Sequence, residues 1–158
     1  MIMDIPESMR TELAAWNNGR GIDLASWVAC EGNFSLAVGY ASIFWPGFVE
    51  FEGYILREDF SETSLRGFEN QEGSTRKSTE WVMNHLHIVD LQFHGCEDIS
   101  KDKIKILGQT LKEIYEAKLK TQFPESPCIV EFYEPEDEED LLEYQLSFWQ
   151  VAHEYENV

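Results

Sequence analysis

The sequence predicts an α+β domain in which several helices pack against a small antiparallel sheet, with strands near residues 48–57, 128–134 and 143–151. Three observations predict it. The stretches FVEFEGYILR and CIVEFY are rich in aromatic and β-branched residues and are bounded by Pro and Gly. The run from Lys101 to Phe123 places Ile104, Leu107, Leu111, Ile114 and Leu119 near one stripe, as an amphipathic helix does. CIVEFY and the run from Glu143 to Val151 flank a long acidic connection, so they read as an antiparallel pair. The chain has 158 residues, 43% of them hydrophobic and 13% aromatic, which is material for one core and a single domain over 1–158.

Each element has its own local warrant. A first helix is expected over Pro6–Asn18, with Pro at its start and Gly19 as its stop. Asp23 reads as the N-cap of LASWVACE and Gly32 as its C-cap. The apolar run NFSLAVGYASIFWPG is ambiguous by periodicity. Leu36, Tyr40 and Ile43 share a helical face, so a helix over Ser35–Phe44 is expected, ended by Trp45-Pro46-Gly47. Phe48–Arg57 reads as one strand, with Gly53 marking a bulge or a close contact. Short helices over Glu62–Asn70 and Ser78–His87 follow, the second on the spacing of Trp81, Val82, His85 and Leu86. Asp98 or Ser100 caps the long helix, and Lys101, Lys103, Lys105, Lys112, Lys118 and Lys120 make its outer face basic.

Charge narrows the possible partners. Twelve basic residues stand against 30 acidic ones, a net charge of −18. Binding nucleic acid through phosphates needs Lys and Arg, so it is not expected. An anionic membrane surface is disfavoured for the same reason. The acid is concentrated: Thr121–Val158 holds eleven acids and no Lys or Arg, with six acids in the seven residues Glu134–Asp140. Glu134, Glu136, Asp137, Glu138, Glu139 and Asp140 therefore form the first candidate contact with a basic partner, and Glu69 and Glu72 are secondary candidates. The bland alternative is a solvated face that protects a hairpin edge. Calcium fits poorly, since the DxDxDG pattern and a loop Gly are missing. Three cysteines at long spacings read as reduced thiols. No basic stretch followed by an apolar one opens MIMDIPESMR, and a cytoplasmic protein is expected.

Chemistry-bearing patterns are sparse. His85, His87, Asp90 and His94 make a candidate metal set, and with it a small metal-dependent hydrolase is an alternative function. On a strand His85 and His87 would share a face; on a helix they would not. Trp16, Trp27, Trp45, Trp81 and Trp149 could line a pocket or simply fill the core. No phosphate-cradling loop is present, and nothing places a Cys beside a His.

Several blocks carry a resemblance: SLAVGYASIFWPGFVEFEGYIL at 35–56, WVMNHLHIVDL, LKEIYEAKLKTQFP and CIVEFYEPEDEEDLLEYQLSFWQ. Together, from Ser35 to Gln150, they resemble a family of small acidic bacterial proteins that includes immunity proteins of contact-dependent growth inhibition systems. That resemblance implies a cytoplasmic protein, without catalysis or cofactor, that neutralises the C-terminal domain of a toxin. The toxin in such pairs is often a nuclease that cuts transfer RNA. It supplies no catalytic motif to carry onto Asn84, His85 or His87. A housekeeping interaction protein without a toxin partner remains the third reading.

Overall fold

Proline and two asparagines bound the first helix. A computed structural model describes residues 5–92 and 95–155. α1 (Glu7–Gly19) starts after Pro6, whose φ of −54° suits helix entry. It leaves helical geometry at Trp16, and Asn17 and Asn18 turn with φ of 56° and 55°. Asn tolerates that left-handed conformation better than most residues. α2 (Leu24–Glu31) is capped by Asp23, which accepts from the Ser26 N–H at 2.7 Å, and α3 (Phe34–Phe44) is capped likewise by Asn33.

The expected strand over 48–57 is two strands. β1 (Phe48–Phe51) and β2 (Tyr54–Arg57) form a hairpin closed by Phe51↔Tyr54. Glu52 and Gly53 both have positive φ, 51° and 83°, so Gly53 serves a two-residue turn rather than a bulge. This hairpin is a sheet of its own, which corrects the expectation of one sheet containing all the strands. α4 (Glu62–Glu69) follows, and then α5 (Arg76–Asn84), whose start is fixed by a capping box between Thr75 and Ser78. The helix expected through His87 stops at Asn84. His85 is extended, and Leu86–His87 becomes β3, paired with Leu146 and Gln145. α6 (Lys101–Gln122) leads to β4 (Cys128–Tyr133), and β5 (Gln145–Gln150) returns antiparallel to it. The second sheet has the order β3-β5-β4.

The main core forms where α6 lies on this sheet. Ile104, Leu111, Tyr115 and Leu119 meet Val130, Leu146 and Phe148, with Phe48 and Ile55 from the hairpin. The stripe read from the sequence was incomplete at Tyr115 and Gly108. Phe132 lies so close to Gly108 that a Cβ there would collide with its ring. A smaller core gathers Tyr54, Leu56 and Leu65. Ser8 ties α1 to α6 through bonds from its backbone N–H and hydroxyl to Asp102. Burial opposes the Asp102 charge, but bonds from Ser100, Ser8 and Lys103 outweigh it and hold the carboxyl well below its usual range.

The hairpin meets the second sheet through side chains. Glu80 and Asn84, one turn apart on α5, are both fully buried. Glu80 Oε1 accepts from the Ile55 N–H (2.9 Å) and from Gln150 Nε2 (2.6 Å). Its Oε2 accepts from the Gln150 N–H and from His153 Nδ1, both at 2.8 Å. Asn84 donates to the carbonyls of Ile55 and Phe148 and accepts from the Arg57 N–H. The edges of β2 and β5 are thus satisfied by α5 instead of by each other. Replacing Asn84 with Ala strands two carbonyls and an N–H in the interior. The expected cost is about 2–4 kcal/mol in urea or guanidinium unfolding. Asn84→Asp, which sets a buried carboxylate against two carbonyls one turn from Glu80, is expected to cost at least as much as Ala.

Candidate functional site

The acid loop is anchored by the strands that flank it. Tyr144, fully buried, donates its hydroxyl to the Glu138 carbonyl at 3.0 Å, and Pro135 is buried beneath the loop. Asp137 accepts from the Glu139 N–H, and Asp140 accepts from the Leu142 N–H, opening a short 3₁₀ turn at Leu141–Glu143. The loop acids also meet the chain's own cations. Lys101 reaches Glu139 at 2.7 Å and Glu138 at 3.4 Å, and Lys105 reaches Glu134 at 2.7 Å and Glu138 at 3.7 Å. The basic face expected on α6 is therefore turned, at its first turns, toward the acid run. Hydrogen bonds to Glu139 and to Glu134 raise the pKa values of Lys101 and Lys105 respectively.

The six loop acids consequently differ in kind. Glu134, Glu138 and Glu139 are clasped by lysines, while Asp137 and Asp140 shape the backbone. Glu136 is exposed and makes no ion pair or side-chain hydrogen bond among the described residues. Glu69 and Glu72 sit elsewhere. Glu69 is paired with Arg66 at 2.8 Å, and its carboxyl is held low first by that bond and then, against burial, by the Tyr54 hydroxyl. Glu72 shares a shallow cavity with Ser74 and Ser78 at the start of α5. The acid loop is reached from the far end of α5, where His87 Nδ1 bonds the Leu142 carbonyl at 2.7 Å.

The other candidates scatter. His85 Nδ1 bonds the Val82 carbonyl, and its ring stacks on Trp81. The rings of His85 and His87 do meet, with centroids 5.4 Å apart, but among the described residues no group of three His, Cys, Asp or Glu side chains could hold a metal; His94 lies outside them. The tryptophans occupy separate places. Trp27 donates to Glu12, Trp45 is exposed beside Lys118, Trp81 donates to Glu131, and Trp149 lies under Lys77 and donates to Glu154. Cys30 and Cys96 are exposed, whereas burial, aided by the Glu80 charge, pushes the Cys128 thiol up to about 12.

Sequence reasoning missed one surface. No residue of α2 or α3 is buried, although Asn33–Gly47 contains no charge. Phe34 is 91% exposed, Val38 73% and Leu36 53%, flanked by Val28 and Trp45. A helix apolar on all sides belongs in an interior, and here only its end is covered, where Ile43 is half-buried and Phe44 packs on the main core. The signal is that charge-free run, whose sequence reading is a helix with Leu36, Tyr40 and Ile43 on one face. Among the described residues no helix is long and apolar enough to cross a membrane.

Comparison with protein-family models, with curated proteins and with solved structures finds no match. Function therefore rests on the residues and surfaces above.

Two outcomes check this geometry. In Lys101→Ala/Lys105→Ala, amide exchange over 136–140 is expected to speed up about fivefold, with the rest of the chain unaffected. With a thiol reagent near pH 8, Cys30 and Cys96 are expected to label rapidly, and Cys128 only after unfolding, as read by mass spectrometry.

Proposed function

We propose that the chain is an immunity protein that binds and neutralises a cognate toxin domain of a contact-dependent growth inhibition system. The toxin would be a basic nuclease of the tRNase type, its cleft blocked sterically and electrostatically, and the chain itself would do no chemistry. The setting would be the cytoplasm, where such a toxin reaches its substrate. The observation that carries this reading is a largely uncovered apolar helix pair, α2 and α3, with no charge from Asn33 to Gly47, on a chain whose net charge is −18. A partner that covers it must offer apolar surface, and the surrounding field favours positive charge. The resemblance over residues 35–150 supplies the toxin as that partner.

Each surface has a separate role in this reading. The apolar helices supply most of the affinity, because desolvated aromatic and aliphatic anchors dominate such interfaces. The acid loop supplies speed and selectivity, since charges at an interface rim act mainly on association rate. Its lysine clasp and caps hold it in one conformation, so less ordering entropy is lost on docking. Glu69 and Glu72 remain secondary contacts, toward the other end of α5.

The partner is first captured by tagging the chain, expressing it with its neighbouring genes and identifying what co-purifies. A secreted toxin's C-terminal domain is the expected product. Against that domain, Glu136→Lys is expected to slow association several-fold at low salt, and Val38→Asp to speed dissociation at least tenfold, with loss of protection in a co-expression killing assay. Unchanged rates and protection in both variants would remove these two surfaces from the interface.

A further inference from the structure

One buried hydroxyl has no hydrogen-bond partner among the described residues. Tyr115 is 1% exposed, and its ring packs edge-on against Phe48 at 5.2 Å and against Phe148 at 6.2 Å. Its hydroxyl makes no hydrogen bond among the described residues. Every fully buried side-chain nitrogen or oxygen among those residues does have a partner. Tyr115 also lines a cavity of about 490 Å³ between α3, the end of β2, and the turn after β3. Its size falls within the range of small-molecule sites.

The walls state what would fit. Ile43, Pro46, Leu86 and Leu91 line the apolar part. The charged part is Arg57, Glu58, Asp59 and Asp90. Arg57 is committed to Asp59, with two contacts of 3.3 Å. Glu58 folds its carboxylate over Gly47, where even a Cβ would collide with it. Glu58 and Asp90 make no ion pair among the described residues, so the wall keeps two uncompensated negative charges. Two carboxylates without an ion pair, four apolar side chains and a neutral tyrosine in one wall suit a cation on an aliphatic stem.

We propose that this cavity binds a small organic cation, a primary ammonium or a guanidinium on a short aliphatic stem. The Tyr115 hydroxyl accepts a hydrogen bond from the stem's polar group or its ammonium, and Glu58 and Asp90 supply the charge. The site goes beyond toxin binding and rests on none of the evidence for it. The same chemistry occurs in free diamines and in a Lys or Arg side chain of another protein, and the probes below separate the two.

The test is calorimetric titration of the whole chain with cadaverine and agmatine, and in parallel with N-acetyl-lysine amide and N-acetyl-arginine amide. Valerate, an anion of similar length, is the control. At least one cation is expected to bind with a Kd of about 1 mM or tighter, and valerate not to bind. Binding of the free amines alone assigns the site to a metabolite; binding of the blocked amino acids as well assigns it to a protein side chain. Tyr115→Phe is expected to weaken binding about fivefold while leaving the melting temperature unchanged or raised, because it removes a hydroxyl that no protein group satisfies. Glu58→Gln/Asp90→Asn is expected to weaken it about tenfold. Failure of all four cations to bind at about 10 mM overturns the proposal. So does equal affinity in Tyr115→Phe, or a drop in its melting temperature that marks the hydroxyl as structural.

Discussion

Two side chains on one helix hold two sheets together. The open edges of β2 and β5 each present N–H and C=O groups that water would otherwise satisfy, and α5 takes the place of water. Glu80 and Asn84 bond Ile55, Arg57, Phe148 and Gln150 across that seam. An isolated two-stranded hairpin is marginal in water, so β1–β2 depends on this attachment. A buried carboxylate is costly unless its lone pairs are filled, and Glu80 has two donors on each oxygen. One of them fixes a tautomer. Arg76 Nε donates to His153 Nε2, so the His153 hydrogen sits on Nδ1 and points at Glu80. Arg76 also lies 4.3 Å over the Tyr54 ring and bonds the Glu52 carbonyl. The hairpin tip, the start of α5 and the residues after β5 are thereby one linked unit.

With that frame in place, the charge is handled locally. The C-terminal quarter has no Lys or Arg of its own, yet its acids are not bare, because Lys101 and Lys105 arrive from α6. Exposed ion pairs of this kind add little stability. Their effect is geometric: they decide which acids point inward and which, like Glu136, remain free. A chain so rich in carboxylate repels copies of itself, which gives an uncovered apolar helix pair a measure of protection from self-association.

The sequence was most legible where one local rule sufficed. Asp23 caps its helix because a short polar side chain reaches the N–H three residues on, and CIVEFY pairs with the run after the acid loop, as the connection between them implies. It was least legible where a partner distant in sequence decides. Glu52-Gly53 turns a ten-residue strand pattern into a hairpin through two positive φ angles, which the apolar pattern around it conceals. Glu80 reads as an ordinary helix-surface acid, since its partners lie 25, 70 and 73 residues away. The acid loop stands out in the sequence by its charge, but the division of its members into clasped, capping and free acids needed the position of α6. The bareness of α2 and α3 could not be read from composition, which describes what a helix is made of and not what covers it.

Glu80 and Tyr115 make an instructive pair. Both are polar groups in the interior, and the same burial acts on each. The fold fills all four acceptor positions used on Glu80, and it leaves the Tyr115 hydroxyl to a cavity. Were packing the only demand at 115, Phe would serve Phe48 and Phe148 as well without a hydroxyl to satisfy. A phenol held neutral, as burial does by raising its pKa, can still accept or donate a hydrogen bond. The hydroxyl therefore has a physical use only if something polar enters the cavity, water or a ligand. Glu58 and Asp90, which line the cavity without an ion pair among the described residues, set the sign of charge that a ligand would carry.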